Sequence, residues 1–261
     1  MSNQATKDNG KVLIFALDTS RHRTEIGIFA DKRPIGIFAV EAEKRSAGLH
    51  QEIELLFSKV GRRVTEVDCF AVIVGPGSFT GLRVGLATAK GLAAATDKPM
   101  VTMSSLEAMA RLAGQSSCTC VLLEASRNEV YTQLFAVDTV KSVAALSAAT
   151  STTAAQAIEN AAIKCRDFGN KLVFIGDDYT AEIEAIAAKH AATVRYDPYL
   201  TSASKEWIVK REGLAITALA DYAYEAYFSG STTTAEAVVP LYVKPSEAEV
   251  KLALGLIGRK F

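Results

Sequence analysis

Two short stretches of this chain hold residue types suited to phosphate chemistry. The first is Gly75-Pro76-Gly77-Ser78, inside the run VIVGPGSFTGLRVGLATAKGLAAAT that starts at Val72. An apolar run from Cys69 to Val74 stops at Gly75, and a helical pattern follows with Ser78 and Thr80 as candidate N-caps. A glycine turn between strand and helix exposes backbone N–H groups, and the helix start adds partial positive charge, so this turn can receive a phosphate. It can equally be a tight turn that glycine alone tolerates. Its spacing is neither the dinucleotide fingerprint nor the P-loop. The second stretch is Asp18-Thr19-Ser20, at the end of an apolar run that begins at Lys11. An Asp in that place can hold water around a divalent cation while the hydroxyls bind phosphate. The plain alternative is an Asx or Ser/Thr turn that closes a strand.

Other chemistries lack their parts. His22, His50 and His190 lie far apart, and Cys69, Cys118, Cys120 and Cys165 form no C-x-x-C. No zinc spacing results, so no metal site is expected. The cysteines read as buried thiols, which suits a reducing compartment. Ser78 is not in G-x-S-x-G, and no acid/base partners for a hydrolase are discernible. Glu124, Arg127 and Glu129 crowd a connection that reads as a charged hairpin. No catalytic residue is assigned.

Composition narrows the class. Lys plus Arg and Asp plus Glu both number 29, so the chain has no basic character to drive autonomous nucleic-acid binding. The polar opening MSNQATKDNG is not a signal peptide. No run of about 18 apolar residues exists to span a membrane. The expected location is the cytoplasm.

The elements that must position these residues read as follows. A strand over 11–18 and two more over 24–30 and 34–40 make a meander. A helix over 46–60 has Ser46 as N-cap and Gly61 beyond its end. Strand 69–74, the glycine turn and helix 80–95 follow. Next come strand 100–103 and a helix announced by the capping box Ser104-x-x-Glu107. The pattern then restarts: strands at 118–124, 130–137 and 140–146, a helix from Thr153 to Cys165, strand 172–175, a helix to His190 and a strand near 193–196. The echo of β-β-β-α-β-α-β predicts an α/β protein of two related lobes. The expected domains are 1–113 and 114–203, then a long amphipathic helix over 204–230 of open assignment, capped by Ser204, and an extended segment over 231–261. Trp207 and Tyr222, Tyr224 and Tyr227 read as packing aromatics. Pro240 predicts an edge strand or a position outside a sheet ladder.

The helix after the glycine turn has a stripe of small residues at Gly81, Gly85, Ala89 and Ala93, with Leu82 and Leu86 as apolar bulk. Such a stripe lets another backbone approach closely. It faces either the chain's own sheet or another subunit. Arg83 and Lys90, seven apart, share a face.

Together these pieces resemble the bacterial TsaB (YeaZ) family. The resemblance rests on Ile14–Ser20, on His50-x-x-x-Glu54-Leu55-Leu56, and above all on Val74–Ala93; Ser104–Ala108, Glu129-Val130-Tyr131 and Pro240-Leu241-Tyr242-Val243 add weaker matches. It implies a two-lobed actin/sugar-kinase/Hsp70-like (ASKHA) fold with duplicated mixed-sheet lobes. It implies a non-catalytic subunit that works with TsaD and TsaE to make N6-threonylcarbamoyladenosine at position 37 of ANN-decoding tRNAs, meeting tRNA through the complex. Relatives of this fold use the D-x-[TS] strand end and a second glycine turn around nucleotide phosphates, so Asp18, Gly75, Gly77 and Ser78 are candidate phosphate-facing residues. No cofactor of its own is expected; ATP or ADP would sit at the partner interface. The implied interface, with TsaD or with a second copy when TsaD is absent, takes His50, Ile53, Gly81, Leu82, Arg83, Gly85, Leu86, Ala89 and Lys90. A departure is Glu124-Ala125-Ser126-Arg127, where the family often has Asp-Ala-Arg-Arg. The alternative function is a small-molecule kinase of the same fold, with Asp18 for Mg²⁺ and the glycine turn for phosphate.

Overall fold

The computed structural model describes residues 10–41, 48–125, 128–139, 142–168, 171–196, 206–210, 213–245 and 252. A meander opens the first sheet. β1 (Leu13–Asp18) pairs antiparallel with β2 (Arg23–Ala30), and β2 with β3 (Arg33–Glu41). α1 (Leu49–Val60) returns the chain to β4 (Cys69–Ile73), parallel to β1; α2 (Phe79–Thr96) leads to β5 (Met100–Met103), parallel to β4. The order is β3-β2-β1-β4-β5. Central β1 and β4 are buried along their whole length, as their continuous apolar runs require. Leu13, Phe15, Leu17, Phe70 and Val72 share a core with Leu49, Ile53, Leu56 and Phe57 of α1 and Leu86, Ala89 and Ala93 of α2. Phe15 stacks on Phe57 with centroids 5.8 Å apart. Fully buried side chains such as Phe15 and Leu56 each contribute about 1.5–3 kcal/mol.

α3 (Ser105–Ala113) begins where the Glu107 N–H donates to Ser104 Oγ at 2.9 Å, one half of the expected capping box. The second sheet repeats the first in outline. β6 (Ser116–Glu124) and β7 (Glu129–Val137) are antiparallel, and β8 (Val143–Ala145) and β9 (Thr150–Thr153) both pair with β7. α4 (Ala154–Cys165) precedes β10 (Leu172–Gly176), parallel to β6 as β4 is to β1. α5 (Thr180–Lys189) leads to β11 (Thr193–Tyr196), and β12 (Glu206–Lys210) inserts in parallel between β10 and β11. Cys118, Cys120, Leu122, Ile158, Phe174, Ile183 and Trp207 form the core there, with the Phe174 and Trp207 rings 5.4 Å apart.

The chain then makes α6 (Ala215–Ser229), which packs on β1, β2, β4 and β5 of the first sheet. The chain forms two compact units, one comprising Met1–Val74, Thr80–Ala108 and Leu214–Pro240, and the other Gly75–Phe79, Met109–Gly213 and Leu241–Phe261. The first unit is therefore built from three pieces of sequence, the last of them near the end of the chain.

Several expectations are corrected. The helix expected from Ser204 is two elements: Trp207, Ile208 and Val209 lie in β12, and the helix starts at Ala215. β9 had no counterpart in the expected order, and of the strand expected over 140–146 the described residues form β8, with 140 and 141 outside them. The segment 238–243 joins no strand, in keeping with Pro240. Ser46, Ser126, Arg127 and Ser204 lie outside the described residues. All four cysteines are free and buried.

Candidate functional site

At the end of β1, of the two readings open for Asp18-Thr19-Ser20, the geometry is that of a turn. The Ser20 N–H donates to Asp18 Oδ1 at 2.7 Å, an Asx turn. Thr19 donates its hydroxyl to the Gly81 carbonyl at 2.7 Å, one turn of α2 before Gly85. A Cβ on Gly85 would lie 2.0 Å from Thr19 Oγ1, so only glycine lets α2 seat on this hydroxyl. Asp18 and Thr19 are 1% and 3% exposed.

Asp18 stands opposite Glu25 in the β1–β2 register. Glu25 Oε1 accepts from Arg23 Nη2 at 2.7 Å and Nε at 3.1 Å, and its Oε2 accepts the Ile216 N–H at 3.2 Å, in the first turn of α6. A carboxylate there complements the helix dipole. Burial pushes the Asp18 carboxyl above the usual carboxylate range, against the Ser20 hydrogen bonds and the Arg21 and Arg23 charges. Burial also raises Glu25, and the Asp18 charge raises it further. A folded-state pKa above the unfolded one favours folding at low pH, and that contribution is lost as pH rises through the folded pKa. Asp18→Asn keeps the acceptor for Ser20 without the buried charge. Its stability relative to wild type should therefore be highest near neutral pH and decline as pH falls toward 4, by about 1.4 kcal/mol per unit of raised pKa. Urea unfolding of both proteins across that range is the check; a difference independent of pH would refute the assignment.

The glycine turn is described within the second unit. Gly75 has φ 111° and a cis bond to Pro76. Gly75 and Pro76 are buried, and Ser78, just before α2, is exposed. The Phe79 ring lies 5.0 Å from that of Tyr242. Two residues on, Lys244 Nζ is 2.8 Å from Glu129 Oε2 and 5.9 Å from the Tyr131 ring centroid, and Ser151 Oγ donates to the same Oε2. Three segments that look unrelated in sequence, 75–79, 129–131 and 241–244, thus meet. The one sequence signal was a lysine and a glutamate at the ends of otherwise apolar motifs.

Burial revises the partner-facing set. Ile53, Leu82, Gly85, Leu86 and Ala89 are buried, Gly81 and Lys90 are half-buried, and His50 and Arg83 are exposed. The small-residue stripe therefore faces its own sheet, because Thr19 and the core need its space. Lys90 donates to the Val238 carbonyl at 2.8 Å. The outward faces are different ones. On α1 they show Gln51, Glu54, Leu55 and Ser58; on α2, Val84, Ala87, Gly91 and Ala94. Leu55 is 54% and Val84 43% exposed. Among the described residues no three His, Cys, Asp or Glu side chains gather as metal ligands. No helix among them is long and apolar enough to cross a membrane.

A family model described as TsaD, tRNA N6-adenosine threonylcarbamoyltransferase, matches residues 32–252. A Haemophilus influenzae protein named tRNA threonylcarbamoyladenosine biosynthesis protein TsaB is 32% identical over 121 residues, 45% of this chain and 51% of that one. Its Escherichia coli namesake is 30% identical over 121 residues, 45% and 52% of the two chains. These matches span about half the length of the curated relatives. Among solved structures, YeaZ from Pseudomonas aeruginosa superposes with a TM-score of 0.64 at 18% identity, covering 88% of this chain and 99% of that one. That likeness and the repeated sheet order make the fold α/β of the ASKHA type. The chain belongs to the threonylcarbamoyltransferase family that the matched model describes, and proteins named TsaB and YeaZ are among those it is similar to.

Proposed function

We propose that this chain is a non-catalytic partner subunit in the synthesis of N6-threonylcarbamoyladenosine at position 37 of ANN-decoding tRNAs. It binds the catalytic subunit TsaD through the outer faces of α1 and α2, works with TsaE, and meets tRNA through the complex. It is cytoplasmic, and ATP or ADP is shared with the partner rather than held here alone. The observation that carries the interface is the pair Leu55 and Val84, large apolar side chains exposed on two helices that feed one core. Beside Val84, Ala87 and Gly91 leave room for a close helix approach. In the absence of TsaD the same faces bind a second copy.

Size exclusion with light scattering, with and without TsaD of the same source, tests the reading. A 1:1 complex is expected. Leu55→Asp and Val84→Asp each place a charge in the proposed contact and should weaken association by about 30-fold or more, the scale of a central interface residue. Their melting temperatures should stay within a few degrees of wild type, because both sites are exposed. Unchanged affinity in both variants rejects the helix faces; no complex with wild type rejects the partner role.

A further inference from the structure

The second sheet has a glycine turn in the topological place that the Gly75 turn, a candidate phosphate cradle, holds after the first. β10 ends at Gly176 beside β6, and Asp177, Asp178 and Tyr179 lead into α5, as the Gly75 turn leads from β4 into α2. The residues there do not fit a phosphate. Gly176 has φ 134°, and a Cβ on it would lie 1.9 Å from the Leu122 carbonyl oxygen, so the turn is pressed onto the end of β6. The Asp177 N–H donates to that same oxygen at 2.9 Å. Asp177 Oδ2 accepts the Glu124 N–H, and Asp178 Oδ1 accepts the Thr180 N–H at 3.1 Å, at the first residue of α5. A phosphate at a helix N-terminus needs such backbone donors, and needs them free. Here Asp178 holds the Thr180 N–H, and the Asp177 N–H is taken by the Leu122 carbonyl.

The local charge points the same way. The Thr180 hydrogen bonds keep the Asp178 carboxyl below its usual range, so it is ionised at neutral pH. The Tyr179 hydroxyl is pushed up to about 12 by burial and by the charges of Asp177, Glu124 and Glu182. An incoming phosphate would meet negative charge, and the Asp177 and Thr180 N–H groups are already engaged.

We infer that the Gly176–Thr180 turn is closed to phosphate, with Asp177 and Asp178 standing as built-in anions where a nucleotide's phosphates would otherwise be held. This inference does not depend on the partner reading, since it concerns the second unit's own turn. It distinguishes the chain from a kinase by a positive feature, a filled cradle.

The test is backbone amide NMR of the full chain, titrated with inorganic phosphate and separately with ADP. In wild type the Gly176, Asp177 and Thr180 amides should not shift with either probe, and the Glu124 and Thr180 amides should exchange slowly with solvent. Asp177→Ala/Asp178→Ala frees both donors and should let phosphate shift these amides, with affinity at least about tenfold tighter than wild type. Asp177→Asn/Asp178→Asn keeps acceptors in place and should remain silent. Saturable phosphate or ADP shifts at these amides in wild type would overturn the inference, and so would an alanine variant as silent as wild type. If the alanine variant does not fold, the wild-type exchange rates decide: fast exchange at Glu124 and Thr180 would mean the donors are not held.

Discussion

Gly85→Leu should yield no cooperatively folded chain, and Gly85→Ala should lose about 2–3 kcal/mol of stability, near the upper end of overpacking costs. Any Cβ there would lie 2.0 Å from Thr19 Oγ1, on a hydroxyl tied to the Gly81 carbonyl. To relieve the clash, α2 must lift from the end of β1, which opens the core around Leu86, Ala89 and Ala93. Urea unfolding followed by circular dichroism measures the loss. Combining Thr19→Ala with Gly85→Ala should recover part of it, because the bulk that meets the new methyl is gone. The coupling between the two sites, expected at about 1 kcal/mol or more, is the decisive quantity. A soluble, normally melting Gly85→Leu that fails only to bind TsaD would instead mean that the stripe faces outward.

Glu25→Ala should be the next most damaging change, at about 2–4 kcal/mol. Truncating one partner of a buried ion pair costs about 3–5 kcal/mol. The Arg23 side chain is 23% exposed, so part of the charge is screened by solvent and the lower figure applies. The variant takes two hydrogen bonds from Arg23 and leaves the buried Ile216 N–H with no carboxylate. Amide exchange at Ile216 should quicken more than the global loss accounts for. Glu25→Gln, which can still accept from Ile216, should lose roughly half as much. The raised pKa of Glu25 does not conflict with this. Its charge is costly to bury, yet the groups around it are arranged for that charge, and removing it strands them. Equal stability of Glu25→Ala and wild type would show that the α6 terminus needs no acceptor.

Much of this was legible in the sequence, and the failures have physical causes. Strand runs such as Leu13–Asp18 and Cys69–Ile73 are continuous and apolar because the strands are central, and the restart of element order showed the second sheet. The end of the glycine run as a helix was equally plain. What periodicity cannot say is which side of a small-residue stripe is inside. Gly85 is small because Thr19 occupies its space, a contact between residues 66 positions apart, as 85 less 19. Leu55 was legible in part, since Leu55-Leu56 puts apolar side chains on two faces of one helix. The helix expected from Ser204 failed because Ile208 and Ala215 are seven apart and keep helical phase across a break. Gly213 and the strand-favouring Trp207-Ile208-Val209 were the contrary signals. The joining of Lys244 to Glu129 was marked only by a charge at the end of each motif, because sequence distance says nothing about charges brought together by topology.

The three-piece construction of the first unit has a consequence for the order of synthesis. A ribosome releases β1 to β5 first, yet α6, which packs on four of those strands, emerges only after the whole second sheet. Ile14, Ala16 and Ala71 are wholly buried in the finished protein, and Gly27 lies against Ile216. Until residue 229 has left the exit tunnel, the surface that α6 covers has no lid of its own. The nascent chain must therefore carry an open apolar sheet for the time needed to make more than a hundred residues, from Met103 to Ala215. At about 5–20 residues per second that is on the order of ten seconds. The second sheet, contiguous but for its short end pieces, can close during that wait. The lobe made first is thus the lobe finished last, and chains cut short before α6 are the ones to expect in aggregates.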